Sequence, residues 1–288
     1  MKQTVNMSFF RHFLKVRQVG FSPLAPFTEV FRHRTLLRRV SEQDLSARYK
    51  ESFLGPLWAV LVPLAQLVVF TFVFGRIIPS RWAGANQGVM DLPLNLFAGI
   101  IVHTVFAEVV TRSTAVLSEN TAYIKRVVFP IQILPVSIIV TACVNMLVSL
   151  VLLVLAIAFV HSTFPIGSAL MAVVILLPLM IMLCGIAWLV SATAVYLPDF
   201  RHAVSPVVSL LMFLSPVLFP VSSIPEDYRI FVYLNPITVP VEQLRAVIIR
   251  GDAPDFGIMS QYAAIALLIA WVGYVWFAVL RRGFADVV

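Results

Sequence analysis

Hydrophobic and polar positions change regime once along this chain, near residue 52. Before that point charges recur every few positions; from Ser52 to Gly75 there are none. A hydrocarbon core of about 30 Å takes about 20 apolar helical residues to cross, so 41–76 reads as a surface helix feeding a membrane span. In the charged part, Leu36, Leu37 and Val40 make an apolar edge among Arg32, Arg34, Arg38 and Arg39, which predicts a helix from Thr28. Ser41 with Asp44 three positions on has capping-box spacing, so a second helix is predicted to start there, carrying Leu45, Tyr49 and Phe53 on one side. Such a segment either lies along the membrane surface or is a solvated linker, and the basic face favours the first.

Gly55-Pro56 opens the first span, since proline in a first helical turn lacks only an N–H that has no partner there. Arg76, Pro79, Arg81 and Gly84 close it. The second span, 92–112, holds His103 and Glu108, with Arg112 one turn beyond. A charge at mid-bilayer costs about 2.5–3.5 kcal/mol, which puts Glu108 near the interface, paired with Arg112 at i, i+4. The alternative role for such a carboxylate is a proton relay. Residues 113–130 form a polar, basic connection that turns helical near Ser118. Between Arg126 and Asp199 there is no Asp, Glu, Lys or Arg at all, a longer uncharged run than one crossing needs. His161-Ser162-Thr163, with Pro165 and Gly167, divides this stretch into spans 130–160 and 166–197. Spans 203–221 and 256–280 follow, the last ending at Arg281-Arg282.

Between them, 222–255 alternates short apolar pieces with helix breakers. A helix beginning after Pro240 places Val241, Leu244, Val247 and Ile248 on one face and ends at Gly251. Two short helices joined at Asn235-Pro236 either dip into the bilayer and return or rest on its outer surface; the re-entrant pair is preferred. The predicted fold is an all-α integral membrane protein with six transmembrane helices. It has an irregular arm over 1–27, an amphipathic interface region over 28–54, a spanning domain over 55–282 and a tail over 283–288.

Composition agrees with that. Of 288 residues, 60% are hydrophobic and 12% charged, half the charge content of about 25% in soluble domains. The net charge of +7 could suggest nucleic acid, but ten of the 21 cations precede Ser52, where they sit beside anionic headgroups. No nucleic-acid partner is expected. Six spans put both termini on one side. With the N-terminus cytoplasmic, that side carries sixteen Lys and Arg against five, as the positive-inside rule requires. The segment 1–25 lacks an h-region and an A-x-A-like site, so no cleaved signal peptide is expected. Cys143 and Cys184 lie in apolar runs without metal or redox spacing.

No catalytic, metal-binding or cofactor-binding constellation emerges. The four lysines follow Met, Leu, Tyr and Ile, so no phosphate-cradling G-x-x-x-x-G-K-[ST] loop exists, and G-x-S-x-G, HExxH and paired carboxylates are missing in the right setting. A membrane glycosyltransferase lacks its carboxylate site. Asp199, Arg201 and His202 read as a solvated turn or a contact point. The chain is expected to be no enzyme, and a transporter must then use an ion gradient or borrow an ATPase. Only Glu108 and His103 suit the first; residues 113–130, protruding and basic, suit the second.

The residues resemble a known family at this point. ARYKESFLGPLWAVLVPLAQLVVFTFVFGRI is similar to the start of the permeases of polysaccharide ABC exporters, the ABC-2 type that serves O-antigen, capsule and teichoic acid export. LPLNLFAGIIVHTVF with ENTAYIKRVVFPIQILP, then LSPVLFPVSSIPEDYRIFVYLNPIT, then VEQLRAVI resemble the same family in the same order, covering about 36–282 in blocks. The chain departs from the family pattern near His103, where an aromatic is expected, and at Pro198, where an arginine is.

The resemblance implies a homodimer of six-span subunits joined to two copies of a separate ATP-binding cassette ATPase, with ATP and magnesium on that partner. It implies an undecaprenyl-linked glycan as cargo, in the bacterial inner membrane, with both termini cytoplasmic. An ABC-2 exporter of another lipid or drug shares the fold; an ion-coupled carrier is the further alternative. By position, Ser118 to Phe129 matches the coupling helix that docks on the ATPase, with Ser118, Asn120, Tyr123, Lys125, Arg126 and Phe129 as contacts. Residues 225–251 match the outer gate helices, carrying Tyr228, Asn235, Pro236, Glu242 and Arg245. Tyr49 and Trp58 flank the junction where a lipid-linked substrate would leave the leaflet. In the first span Ala59, Pro63, Gln66, Phe70 and Phe74 recur at steps of three or four. That stripe is either an aromatic wall for sugar rings or a packing face, and period alone does not choose.

Overall fold

The computed structural model describes residues 22, 24–50, 52–77, 90–124, 129–162 and 166–287. All regular structure among them is helical. Residues 1–21 of the expected arm, and Lys125 and Arg126, lie outside the described residues, as does the side chain of Tyr49.

Two helices precede the membrane domain: α1 (Ala25–Arg32), with Pro26 in its first turn, and α2 (Arg34–Tyr49). The break falls at His33 (φ −106°, ψ 21°) and not at Ser41. Ser41 is buried within α2, and Asp44 turns to a partner 68 residues away instead of capping its own helix. Capping needs unbonded N–H groups, and none is free in mid-helix.

The chain turns through Gly55–Leu57 into α3 (Trp58–Phe72), which widens into a π turn over Val73–Ile77. The next helix, α4 (Asp91–Ser113), is buried along most of its length because α3 and four later helices pack around it. It therefore shows no amphipathic stripe. Two single-turn helices follow, α5 (Val116–Glu119) and α6 (Thr121–Ile124). Then come the long α7 (Ile133–His161) and α8 (Ile166–Tyr196) and the shorter α9 (Phe200–Phe213). Beyond them lie α10 (Glu226–Tyr233), α11 (Thr238–Ile248), α12 (Phe256–Leu280) and α13 (Phe284–Val287).

Five helical stretches among the described residues are long and apolar enough to cross a membrane: Gly55–Gly75, Asp91–Ser113, Ile133–His161, Ile166–Tyr196 and Phe256–Gly283. The element expected over 203–221 is the 14-residue α9, which gives way to turns after Phe213. Pro216 disfavours the helical conformation at Ser215, and Pro220 follows at the start of the next turn. The tail is also more ordered than a free end. Phe284 is fully buried, its ring 5.4 Å from Phe277 and 6.1 Å from Tyr196.

The tightest packing joins α8 to α12. A Cβ on Gly273 would lie 2.0 Å from the Gly185 carbonyl oxygen, and one on Gly185 would lie 2.3 Å from that of Ile269. Small residues let membrane helices approach to backbone contact, where dispersion replaces the hydrophobic drive that lipid removes.

Candidate functional site

A cleft of about 230 Å³ lies between α3, α4 and α7. Trp58, Ala59, Pro63 and Gln66 line it from α3, Thr104 and Glu108 from α4, and Asn145 and Ser149 from α7. The first half of the α3 stripe thus faces its own subunit's core, and Leu61, Val68, Val69 and Phe72 are exposed on other sides of the helix. Phe70 and Phe74 lie beyond the cleft, ring centroids 6.0 Å apart, with Phe70 packed against the core. Trp58 and Gln66 are brought together; Phe70 and Phe74 are not part of the same wall. Trp58 Nε1 donates to Ser52 Oγ at 2.9 Å, which holds the indole at the helix start.

A charge network closes the end of the cleft nearest α2. The Glu108 carboxylate accepts from Arg48 and, at 3.4 Å, from Arg112 Nη1, while its Oε2 accepts from Asn145 Nδ2 at 3.3 Å. Arg112 Nη2 donates to both oxygens of Asp44, at 2.6 and 2.8 Å. The Thr141 hydroxyl accepts from Arg112 at 3.2 Å and donates to Asp44 at 3.1 Å. The expected Glu108–Arg112 contact is present, but as the weakest link of a network that fastens α2 to α4 and α7. Glu108 is thus held by three side-chain partners, Arg48, Arg112 and Asn145. Asp44 and Arg48 were missed because both bind side chains 60 or more positions away. Their shared face on α2, four positions apart, is the signal that could have found them.

The segment read as one coupling helix is broken. It starts at Val116, and Asn120 (φ −113°, ψ 35°) ends α5, its Nδ2 donating to the Val116 carbonyl at 2.9 Å. Such a local side-chain bond competes with continuing the helix. Ser118 and Glu119 are exposed; Tyr123 is half-buried, its ring 4.5 Å from that of Phe129. Tyr123 and Asn120 also line a small hollow of about 130 Å³ against Val40, Asp44 and Ala47 of α2. Arg201, in the first turn of α9, donates to Ser118 Oγ at 2.5 Å, which gives the charged stretch of 199–202 a tertiary role.

At the other end, α10 and α11 form a helical pair linked through Asn235 and Pro236, with α11 beginning at Thr238, so that Pro240 falls inside its first turn. Asn235 is buried and donates to the Leu211 carbonyl at 3.0 Å, while the Pro236 carbonyl accepts from Tyr262 Oη at 2.8 Å. Val241, Leu244, Val247 and Ile248 are buried together, on the face their spacing defines. Arg245 is 1% exposed and donates to the carbonyls of Asn95 (2.9 Å), Val217 (2.8 Å) and Pro216 and to Glu242 (3.2 Å). Burial, opposed by Glu242, lowers its pKa to about 10, so it stays a cation at neutral pH. A Cβ on Gly99 would come within 2.8 Å of the guanidinium, so the glycine makes room for it. Of the gate residues expected from sequence, Arg245, Asn235 and Pro236 anchor this pair, Glu242 is half-buried beside Arg245, and Tyr228 is exposed.

Comparison with known proteins adds a family to this geometry. The family model described as ABC-2 type transporter matches residues 35–249. The chain is 26% identical over 260 residues to the O-antigen export system permease protein RfbA of Myxococcus xanthus, covering 90% of this chain and 97% of that one. It is 24% identical over 253 residues to the protein of the same name from Klebsiella pneumoniae, covering 88% and 94%. It is 26% identical over 231 residues to the polysialic acid transport protein KpsM of Escherichia coli, covering 79% and 86%. A match running from α2 through α11 takes in the charge network, the cleft, the broken helical segment of 116–124 and the Arg245 anchor, and with it this multi-pass membrane chain belongs to the ABC-2 type transporter family.

Proposed function

We propose that this chain is the permease subunit of an ABC exporter that moves a lipid-linked polysaccharide of the O-antigen kind across the bacterial cytoplasmic membrane. The observation that carries the reading is near-complete coverage of two relatives named as O-antigen export permeases, at 94% and 97% of their lengths. The cleft adds chemical support: Trp58, Gln66, Thr104, Asn145 and Ser149 offer an indole face and neutral hydrogen-bonding groups, suited to sugar hydroxyls. At about 230 Å³ it is smaller than the roughly 300–1,000 Å³ of ordinary ligand pockets, so a polymer does not thread it in this state. A channel of polymer width is therefore supplied by a second copy, and the working assembly is a homodimer with two ATPase subunits. ATP and magnesium are bound and used on that partner, since this sequence has no phosphate-cradling loop.

In mechanism, α2 and the Gly55 turn form the approach from the leaflet, with the Asp44–Arg112 and Arg48–Glu108 pairs fixing α2 against the spans. Ser118 and Glu119 present the exposed surface on which the ATPase pushes; Lys125 and Arg126, next in the sequence, are the cations proposed to contact it. Arg201 ties that surface to α9, so movement of the coupling segment is passed to a helix that leads toward the outer pair α10 and α11. With α9 and the turns after it counted as a sixth crossing, both termini lie on the cytoplasmic side, a reading the sixteen-to-five cation distribution supports.

Deleting the gene in its source bacterium should abolish surface glycan and accumulate lipid-linked polymer inside, with rescue by the intact gene. Unchanged surface glycan would reject the glycan reading and leave export of another lipid or a drug.

A further inference from the structure

A second concavity lies away from the cleft, where α1 crosses α8 and α12. It is an open groove of about 660 Å³, lined by Phe27, Val30 and Phe31 of α1 and by Cys184, Trp188 and Ala270 beneath, with Arg32 and Arg34 beside them. Its roof is fastened. Gln132 Nε2 donates to Glu29 of α1 at 3.1 Å, Arg281 donates to Gln132 Oε1 at 2.8 Å, and Trp188 Nε1 donates to the Gln132 carbonyl at 2.9 Å. The groove is thus built into the fold and does not depend on a loosely resting helix.

Its chemistry is divided. The floor is apolar, and Cys184 lies one turn before Trp188 in α8, about 6 Å along the helix axis. Both arginines are exposed, and neither forms an ion pair among the described residues; the Arg34 guanidinium rests 4.6 Å over the Phe31 ring. In a membrane surface helix, two exposed guanidinium groups above an apolar slot fit an amphiphile with an anionic head and a hydrocarbon tail. The charge complementarity selects among lipids, because a zwitterionic head offers no net charge to the pair.

We propose that this groove is a binding site for one anionic phospholipid per chain, its acyl chain along Phe27, Trp188 and Cys184 and its phosphate on Arg32 and Arg34. The site rests on the chain's membrane-spanning architecture and not on the identity of the cargo, so glycan export can fail as a reading while lipid retention stands.

The test uses the full-length permease in nanodiscs of phosphatidylglycerol and phosphatidylethanolamine mixed one to four, then extracted in mild detergent for native mass spectrometry. About one phosphatidylglycerol per chain should be retained, several-fold enriched over the mixture. The double variant Arg32→Gln/Arg34→Gln should lose the enrichment, and Arg32→Lys/Arg34→Lys should largely keep it. Thr28→Trp, at an exposed position on the groove wall, should displace the retained lipid. Independently of any variant, a diazirine-bearing phosphatidylglycerol should label the wild-type peptide that contains Cys184 and Trp188. Retention that ignores all three variants, or labelling that avoids this peptide, means ordinary annular lipid and overturns the proposal. So does lipid retention that appears only after residues 1–21 are deleted, which would make that segment the occupant.

Discussion

Replacing Asp44 with asparagine tests the idea that α2 is fastened to the spans by charge rather than by apolar contact alone. The carboxylate accepts two hydrogen bonds from Arg112 at 2.6 and 2.8 Å and one from Thr141 at 3.1 Å. The substituted amide would keep the shape and one acceptor, lose the charge, and turn a donor toward a guanidinium. The Asp44 and Arg112 side chains are 27% and 31% exposed, too buried for the roughly 0–1 kcal/mol of a solvated surface pair. They are too wet for the roughly 3–5 kcal/mol of a broken buried one. A charge-assisted hydrogen bond contributes about 1.5–3 kcal/mol, so the expected loss is about 2 kcal/mol. Thermal unfolding of the purified full chain in detergent measures it, with Arg112→Gln and the double variant completing a cycle. A coupling energy of about 1–2 kcal/mol is expected for residues in direct contact. If the two single effects add within about 0.5 kcal/mol, the pair is not coupled and α2 is held by other means.

Arg245→Met removes the donors that serve the carbonyls of Asn95, Pro216 and Val217 and leaves an apolar chain among them. About 3–5 kcal/mol of stability should be lost, read as a large fall in unfolding temperature with ATPase binding still detectable before heating. Gly273→Leu puts a side chain where even a Cβ would overlap the Gly185 backbone. The variant should fail to yield monodisperse protein, whereas Gly167→Leu, with open space around it, should behave as wild type. Glu119→Lys, at an exposed position beside Ser118, should reduce copurification with the ATPase several-fold and leave the unfolding temperature unchanged; unaltered copurification would remove α5 from the proposed contact.

Much of the architecture was legible because membrane insertion writes long, simple patterns. The uncharged stretch after Ser52, the long charge-free run between Arg126 and Asp199 and the breakers around Asn235-Pro236 all correspond to observed helices or to the turns between them. What failed was local rules applied where tertiary partners decide. Ser41 and Asp44 match a capping spacing, yet Asp44 is taken by Arg112, and the helix runs through. The span expected to Val221 stops at Phe213, since the weight given to apolar content overlooked Pro216. Arg245 was expected only as one of the outer gate residues, and no sequence pattern points to the three backbone carbonyls, of Asn95 in α4 and of Pro216 and Val217, that draw it inside. The α3 stripe was visible by period, but a period defines a face without saying what it meets; here its first half meets α4 and α7. Gly185 and Gly273, far apart in the chain, carry no pattern that pairs them.

The most direct test of the central claim is transport itself. The permease and its ATPase, reconstituted into vesicles carrying lipid-linked glycan labelled on the polymer, should move the label to the opposite face when ATP is added. They should not do so with ATP and a hydrolysis-dead ATPase, nor under a proton gradient without ATP. Movement driven by the gradient alone, or ATP-driven movement of a lipid with the glycan left behind, would contradict the account.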